Sequence, residues 1–164
     1  MSGFACIGLE RPKFAANVGG VLRACHCYGV AQVNIAGMRA RDLEFKANTP
    51  KAHRHIPTFM VNRATDYLPQ NTDIVAVDLV DGAEPLPGFI HPKRALYVFG
   101  AEDGTLCDDV LSLASHRVMV PTRNCMNLSA TVNIVLYDRL CKGGEYSEAF
   151  AEAKGATRYL RSAA

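Results

Sequence analysis

Three short polar stretches of the chain carry residue types that could hold and activate a small ligand. The first, Asn17-Val-Gly-Gly-Val-Leu-Arg23, sets an arginine in an otherwise apolar helical pattern, where a guanidinium needs a carboxylate or phosphate partner. The second, Gly100-Ala-Glu-Asp-Gly104, holds Glu102 in a glycine-flanked loop directly after an apolar, strand-like run. The third begins at Val120-Pro-Thr-Arg-Asn-Cys-Met-Asn-Leu-Ser129, and there Asn127 and Ser129 stand at the start of a strongly apolar helix. Side-chain oxygens at such a position cap free backbone N–H groups. Glu102 is a candidate partner for Arg23, against the alternative of an ordinary solvated turn. Gly19 and Gly20 suit either an anion-binding helix start or close helix packing.

Several chemistries are disfavoured. No Gly-x-Gly-x-x-Gly fingerprint and no Gly-Lys-Ser/Thr phosphate loop is present. Ser129 lacks a Gly-x-Ser-x-Gly elbow, and no histidine lies in the three loops, which argues against a histidine-assisted hydrolase. Cys25-His26-Cys27 has no second pair at zinc-site spacing, so no metal is expected.

The elements that must position these groups follow from apolar patterning. Ala5–Leu9, Gln32–Ala36, Asp73–Leu79, Ala95–Phe99 and Arg117–Val120 read as strands. Asn17–Tyr28 reads as a helix stopped by Gly29, Asn62–Leu68 as a short helix ended by Pro69, and 108–114 and 127–141 as further helices. The segment Glu145–Arg161 reads as helical with a break at Gly155. Apolar strands separated by helices imply an α/β fold, a mostly parallel sheet with helices on both faces. Ligands bind beyond the carboxyl ends of such strands. Val80-Asp-Gly82, Gly100–Gly104 and Pro121–Met126 all lie there.

The chain has 164 residues, 49% of them hydrophobic and 21% charged, which suits one folded domain spanning 1–164. No apolar run reaches membrane-span length, and no signal peptide is expected. The six cysteines are expected mostly as small buried hydrophobes in a reducing cytoplasm. The net charge of +2 does not by itself indicate nucleic acid. Its distribution is more informative: Arg39, Arg41, Lys46, Lys51 and Arg54 gather with His53 and His55 against only Asp42 and Glu44. That segment is either a phosphate-facing patch or a solvated loop.

Taken together, Asn17-x-Gly-x-x-x-Arg23, Phe99-Gly-x-Glu-x-Gly104 and Val120-Pro121 followed by Met126-Asn-Leu-Ser129 resemble the three motifs of the SpoU (TrmH-like) branch of the SPOUT RNA methyltransferases, in order and spacing, over about residues 4 to 142. The Met-Asn-Leu-Ser form most resembles the small tRNA wobble-position 2'-O-methyltransferases (TrmL type). Arg11-Pro-Lys-Phe-Ala-Ala16 departs from the Pro-Pro-rich stretch usual in those enzymes. The resemblance implies a C-terminal deep trefoil knot, a homodimer with each site near its interface, and S-adenosylmethionine as cofactor. It implies methyl transfer to a ribose 2'-hydroxyl of RNA, at the wobble cytidine or uridine of tRNA. The alternatives are another tRNA position, rRNA, or a non-catalytic RNA-binding role on the same fold.

The resemblance assigns functional roles to Arg23, Glu102, Asn127 and Tyr137. It sets Asp78, Leu79, Gly100, Val120, Cys125 and Met126 against the cofactor. Arg39, Arg41, Lys46, Lys51 and Arg54 would grip the RNA backbone. A ribose hydroxyl must lose a proton as it attacks the sulfonium methyl, and positive charge disappears in the transition state, so a dry apolar pocket helps. An arginine, protonated to a pH above about 12, is a poor base. Arg23 is therefore expected chiefly to position phosphate and hydroxyl.

Overall fold

Strands covered on both faces show no polar side to water, and this chain's apolar runs form such strands. The structure, a computed structural model, describes residues 3–39 and 54–143. Arg41, Lys46, Lys51 and the expected tail helix lie outside the described residues. In chain order the elements are β1 (Phe4–Glu10), α1 (Ala15–Cys27), β2 (Gln32–Ala36), β3 (Thr58–Val61), β4 (Asp73–Val77), β5 (Glu84–Pro85), a 3-10 turn (Leu86–Gly88), β6 (Arg94–Phe99), α2 (Asp108–Leu113), β7 (His116–Met119) and α3 (Leu128–Lys142).

The strands form one sheet in the order β3-β2-β1-β6-β4-β7-β5, and every pairing is parallel. Side chains alternate between its faces. Ala5, Ile7 and Leu9 of β1 share one core with Val18, Val21 and Leu22 of α1 and Val132, Val135 and Leu136 of α3. Cys6 points the other way, into a second core with Leu96 and Val98 of β6 and Val110 of α2. Val18, Val21 and Leu22 are fully buried, which contributes about 1.5–3 kcal/mol for each such side chain. The α1 helix stops where Gly29 takes a left-handed φ of 64°, a conformation glycine adopts without steric cost.

Two local expectations are corrected, and two strands are added. Residues 62–68 form bends and turns, not a helix. Asn34, buried on β2, donates from Nδ2 to the carbonyls of Ala64 (2.9 Å) and Asp66 (2.7 Å). The Glu10 carboxylate accepts from the Ala64 amide and the Asp66 carboxylate from the Arg63 amide. Those backbone groups are therefore withdrawn from an i→i−4 ladder. Two further strands, the four-residue β3 and the two-residue β5, sit at the sheet edges. Finally, only Cys6 and Cys25 are buried; Cys27, Cys107, Cys125 and Cys141 are exposed.

The C-terminal half of α3 is held by a polar cluster. The Asp138 carboxylate only accepts, so His91 carries its proton on Nε2 and donates it there (2.8 Å). The Nδ1 of the neutral ring then accepts from the Tyr97 hydroxyl (2.7 Å), whose oxygen also accepts from Arg139 (3.0 Å). Lys142 pairs with the same carboxylate at 2.7 Å.

Candidate active site

The carboxyl ends of β4, β6 and β7 open onto a cleft, the place where ligands bind in such sheets. Val77, Leu79, Phe99, Met119, Val120, Met126 and Leu128 give it apolar walls. Asp78, Leu79, Gly100, Val120, Cys125 and Met126, the six residues expected to face a cofactor, all line it. The loop after β4 contributes Asp78 and Leu79 but not Val80. Both Asp78 oxygens are engaged, Oδ1 by the Leu79 amide and Oδ2 by the Leu106 amide (each 2.7 Å). They fix the loop after β4 against the loop after β6, which leaves main-chain groups and apolar side chains to meet a ligand.

Glu102 also lines the cleft, and its partners are not those expected. Its Oε1 accepts from Asn17 Nδ2 (2.6 Å) and its Oε2 from the Lys13 amide (2.8 Å). The α1 helix has no acidic residue in its first turn, and its N-cap position, Phe14, has no side-chain cap. Glu102, 89 residues beyond Lys13, supplies the missing anion where free N–H groups and the helix dipole favour it. Partial burial pushes its carboxyl up, but the Asn17 side chain and the Lys13 and Phe14 amides outweigh that and hold it below the ordinary glutamate value.

One hydrogen-bond chain runs from this carboxylate across all three motifs. A carboxylate only accepts, so Asn17 must face it with its NH2. The Asn17 carbonyl then faces Asn127, whose Nδ2 donates to it at 2.8 Å. Asn127 Oδ1 is thereby turned to the start of α3, where it accepts from the Ser129 amide (2.9 Å), the Ser129 hydroxyl (2.7 Å) and the Ala130 amide (3.4 Å). The cap expected at Asn127 is formed. Asn17 is the junction of the chain. Apolar patterning and charge leave its side chain unmarked, and its place two residues before Gly19 is the usable signal.

Close packing brings the two helix starts together. A Cβ built on Gly20 would lie 2.8 Å from Ser129 Cβ and 2.9 Å from its Oγ. Of the two roles open to Gly20, the structure shows the packing one.

Arg23 does not pair with Glu102. Six residues along a helix place it about 9 Å further on and about 120° round the axis from Asn17. It is exposed and makes no hydrogen bond or ion pair among the described residues. Arg23 does not line the cleft, and neither does Tyr137, which is exposed on α3. Arg39 closes on Asp103 at 2.6 Å, with Lys13 on the same carboxylate at 3.2 Å, and these cations hold the Asp103 carboxyl well below its ordinary value. Part of Arg39's charge is thus spent within the chain, while Arg54 is exposed. Among the described residues no three His, Cys, Asp or Glu side chains gather as a metal site, and no helix is long and apolar enough to cross a membrane.

A parallel sheet with a cleft at its carboxyl ends, built from these motifs, defines a class that comparison with known proteins identifies. The chain belongs to the SpoU rRNA Methylase family, whose profile matches residues 5–137. Its fold is similar to that of the SpoU methyltransferase AviRb from Streptomyces viridochromogenes in complex with the cofactor AdoMet (TM-score 0.76, 17% identity over 87% of this chain and 58% of that one). It is also similar to the A. aeolicus TrmH/SpoU tRNA modifying enzyme (TM-score 0.76, 16% identity, 91% of this chain and 79% of that one). A third similar structure was described for the 2-OH methylation of C/U34 on tRNA (TM-score 0.70, 17% identity, 87% of this chain and 92% of that one). The chain spans less than two thirds of the length of AviRb. No curated protein matches the sequence.

Proposed function

We propose that this protein is an S-adenosylmethionine-dependent RNA 2'-O-methyltransferase acting on the wobble cytidine or uridine of tRNA. The observation that carries the reading is the cleft itself: residues of the second and third motifs line it, and Asn17 of the first is hydrogen-bonded to its wall through Glu102. The cleft fits the cofactor in chemistry, with apolar walls for the adenine and the methionine stem. S-adenosylmethionine supplies a methyl group already activated on a sulfonium. The chain's own residues do the rest. The loops of Gly100 and Val120–Met126 hold the cofactor through main-chain groups, and the apolar walls exclude water. Glu102, Asn17 and Asn127 keep those loops in register with α1 and α3. Arg23 holds the RNA phosphate and orients the ribose hydroxyl, and Tyr137 lies along the same RNA-facing assembly.

The wobble assignment is supported by Met126-Asn-Leu-Ser129 and by the similar fold reported for C/U34 methylation, of which 92% is covered. Arg23 lies outside the cleft of its own chain, and Ile134 and Tyr137 are exposed apolar side chains on α3. Both points support a homodimer in which one protomer's Arg23 serves its partner's cleft. The crossing of β7 past β4, with α3 returning to pack on α1, supports the C-terminal knot. We place the enzyme in the cytoplasm as a single domain over 1–164, with Arg39, Arg41, Lys46, Lys51 and Arg54 toward RNA.

The test is transfer of labelled methyl from S-adenosylmethionine to unmodified tRNA, with the position mapped by mass spectrometry. Arg23→Ala is expected to abolish transfer and to leave cofactor binding, followed by calorimetry, within about twofold. Normal turnover by Arg23→Ala removes the role given to that residue.

A further inference from the structure

One surface feature lies beyond the cleft and its hydrogen-bond chain. His26, in the last turn of α1, and His55, in the segment leading to β3, stack with ring centroids 5.1 Å apart and planes at 29°. Both rings are exposed, and neither makes a hydrogen bond among the described residues. Their chain neighbours Cys25 and Ile56 are buried in the core, whereas the two imidazoles lie outside it. The pair is bracketed by two exposed cations. Arg54 precedes His55 in the chain, and Arg23 lies one turn before His26 on nearly the same side of α1. Two stacked, exposed rings flanked by guanidinium groups match the chemistry of an unpaired nucleotide: a flat base between two phosphates.

We infer that His26 and His55 form a stacking ledge for a nucleobase of the RNA strand that passes Arg23, with Arg54 taking a flanking phosphate. This rests on the RNA reading above and extends it, because it names the part of the surface that receives the base beside the reacting ribose. The ledge grips by ring faces, so it tolerates any base, and Arg54 adds an attraction that salt weakens. Its position at the end of α1 places the strand along the exposed side of that helix.

The experiment uses the full-length protein and a labelled, in-vitro-transcribed tRNA. His26→Ala and His55→Ala are expected to weaken tRNA binding about tenfold each, with S-adenosylmethionine affinity and melting temperature unchanged. His26→Phe keeps a ring and loses the titratable nitrogens, and it is expected to bind within about twofold of the wild type. Arg54→Ala is expected to lower the slope of binding against salt by about one ion. If the wild type binds tRNA and both alanine variants bind it equally well, the ledge is overturned and the RNA reading stands. If His26→Phe binds as weakly as His26→Ala, stacking is overturned as the mode of grip. If the wild type binds no tRNA, the RNA reading fails and the ledge fails with it.

Discussion

Replacing Asn17 by alanine cuts the hydrogen-bond chain at its junction, and the cost can be worked from its two ends. One bond lost is charge-assisted, Asn17 Nδ2 to Glu102 at 2.6 Å, of a kind worth about 1.5–3 kcal/mol. The other is neutral, Asn127 Nδ2 to Asn17 Oδ1 at 2.8 Å, of a kind worth about 0.5–1.5 kcal/mol. Water reaches both groups once Asn17 is gone, so the lower ends apply, and the sum is about 2 kcal/mol. For a chain of this size that lowers the melting temperature by about 4–8 °C. Asn17→Asp separates the two ends. An aspartate can still accept from Asn127, but it cannot donate to Glu102 and sets a second carboxylate against it. It is expected to be at least as destabilising as alanine at neutral pH and to recover part of the loss as pH falls and one carboxyl takes a proton. The assay is calorimetric unfolding of the two variants over a pH series, with S-adenosylmethionine titrated at each pH. Melting of Asn17→Ala within about 1 °C of the wild type, with unaltered cofactor affinity, would refute the idea that this chain supports the cleft.

Three further outcomes are expected. Gly20→Ala adds a methyl 2.8 Å from Ser129 Cβ, an atom that no side-chain rotation can move; overpacking of about 1–3 kcal/mol exceeds the helix-propensity gain of about 1 kcal/mol. Its melting temperature should therefore fall, and adding Ser129→Gly should remove most of the clash in a double-mutant cycle. Stability should also decline in mild acid. Burial pushes His91 below the ordinary histidine value by more than the Asp138 carboxylate raises it, with Arg139 and Lys142 also opposing protonation and Tyr97 donating to its free nitrogen. The unfolded chain therefore takes up the proton first, so stability present above about pH 6.5 is lost as pH falls below that value. Urea midpoints measured on either side of it should show the loss, and His91→Gln should lack that component. Lastly, saturating S-adenosylmethionine should slow alkylation of Cys125, which lines the cleft, and leave exposed Cys141 unaffected. Equal rates at Cys125 with and without cofactor, read by mass spectrometry, would show that the cofactor does not sit there.

The residues legible in the sequence are those whose environment is set by near neighbours. Ala95–Phe99 is continuously apolar, and β6 is a central strand. Asn127 precedes an apolar helix and caps it. The errors have a common physical origin in long-range hydrogen bonding. Ala64 and Leu68 have helical spacing, but Asn34, some thirty residues away, accepts no helix there because it takes the carbonyls of Ala64 and Asp66. Arg23 and Glu102 are opposite charges in neighbouring motifs and pair naturally on paper. The positions of Arg23 and Asn17 about α1 decide otherwise, and Asn17, an uncharged residue, holds the carboxylate. At β3 the apolar run Phe59-Met-Val61 is only three residues long, and the edge position leaves Phe59 and Met60 exposed, unlike the buried runs of the inner strands.

The capping of α1 by Glu102 has a consequence for the order in which the molecule assembles. The first turn of α1 is completed only when the loop after β6, synthesised long after it, has docked. Before that the first turn is expected to fray, and the amide of Lys13 is open to exchange with solvent. In the native protein that amide's hydrogen-exchange rate measures how often the Gly100–Gly104 loop lifts away. A single backbone proton, remote in sequence from the cleft wall, is thus a clock for the opening of the cleft.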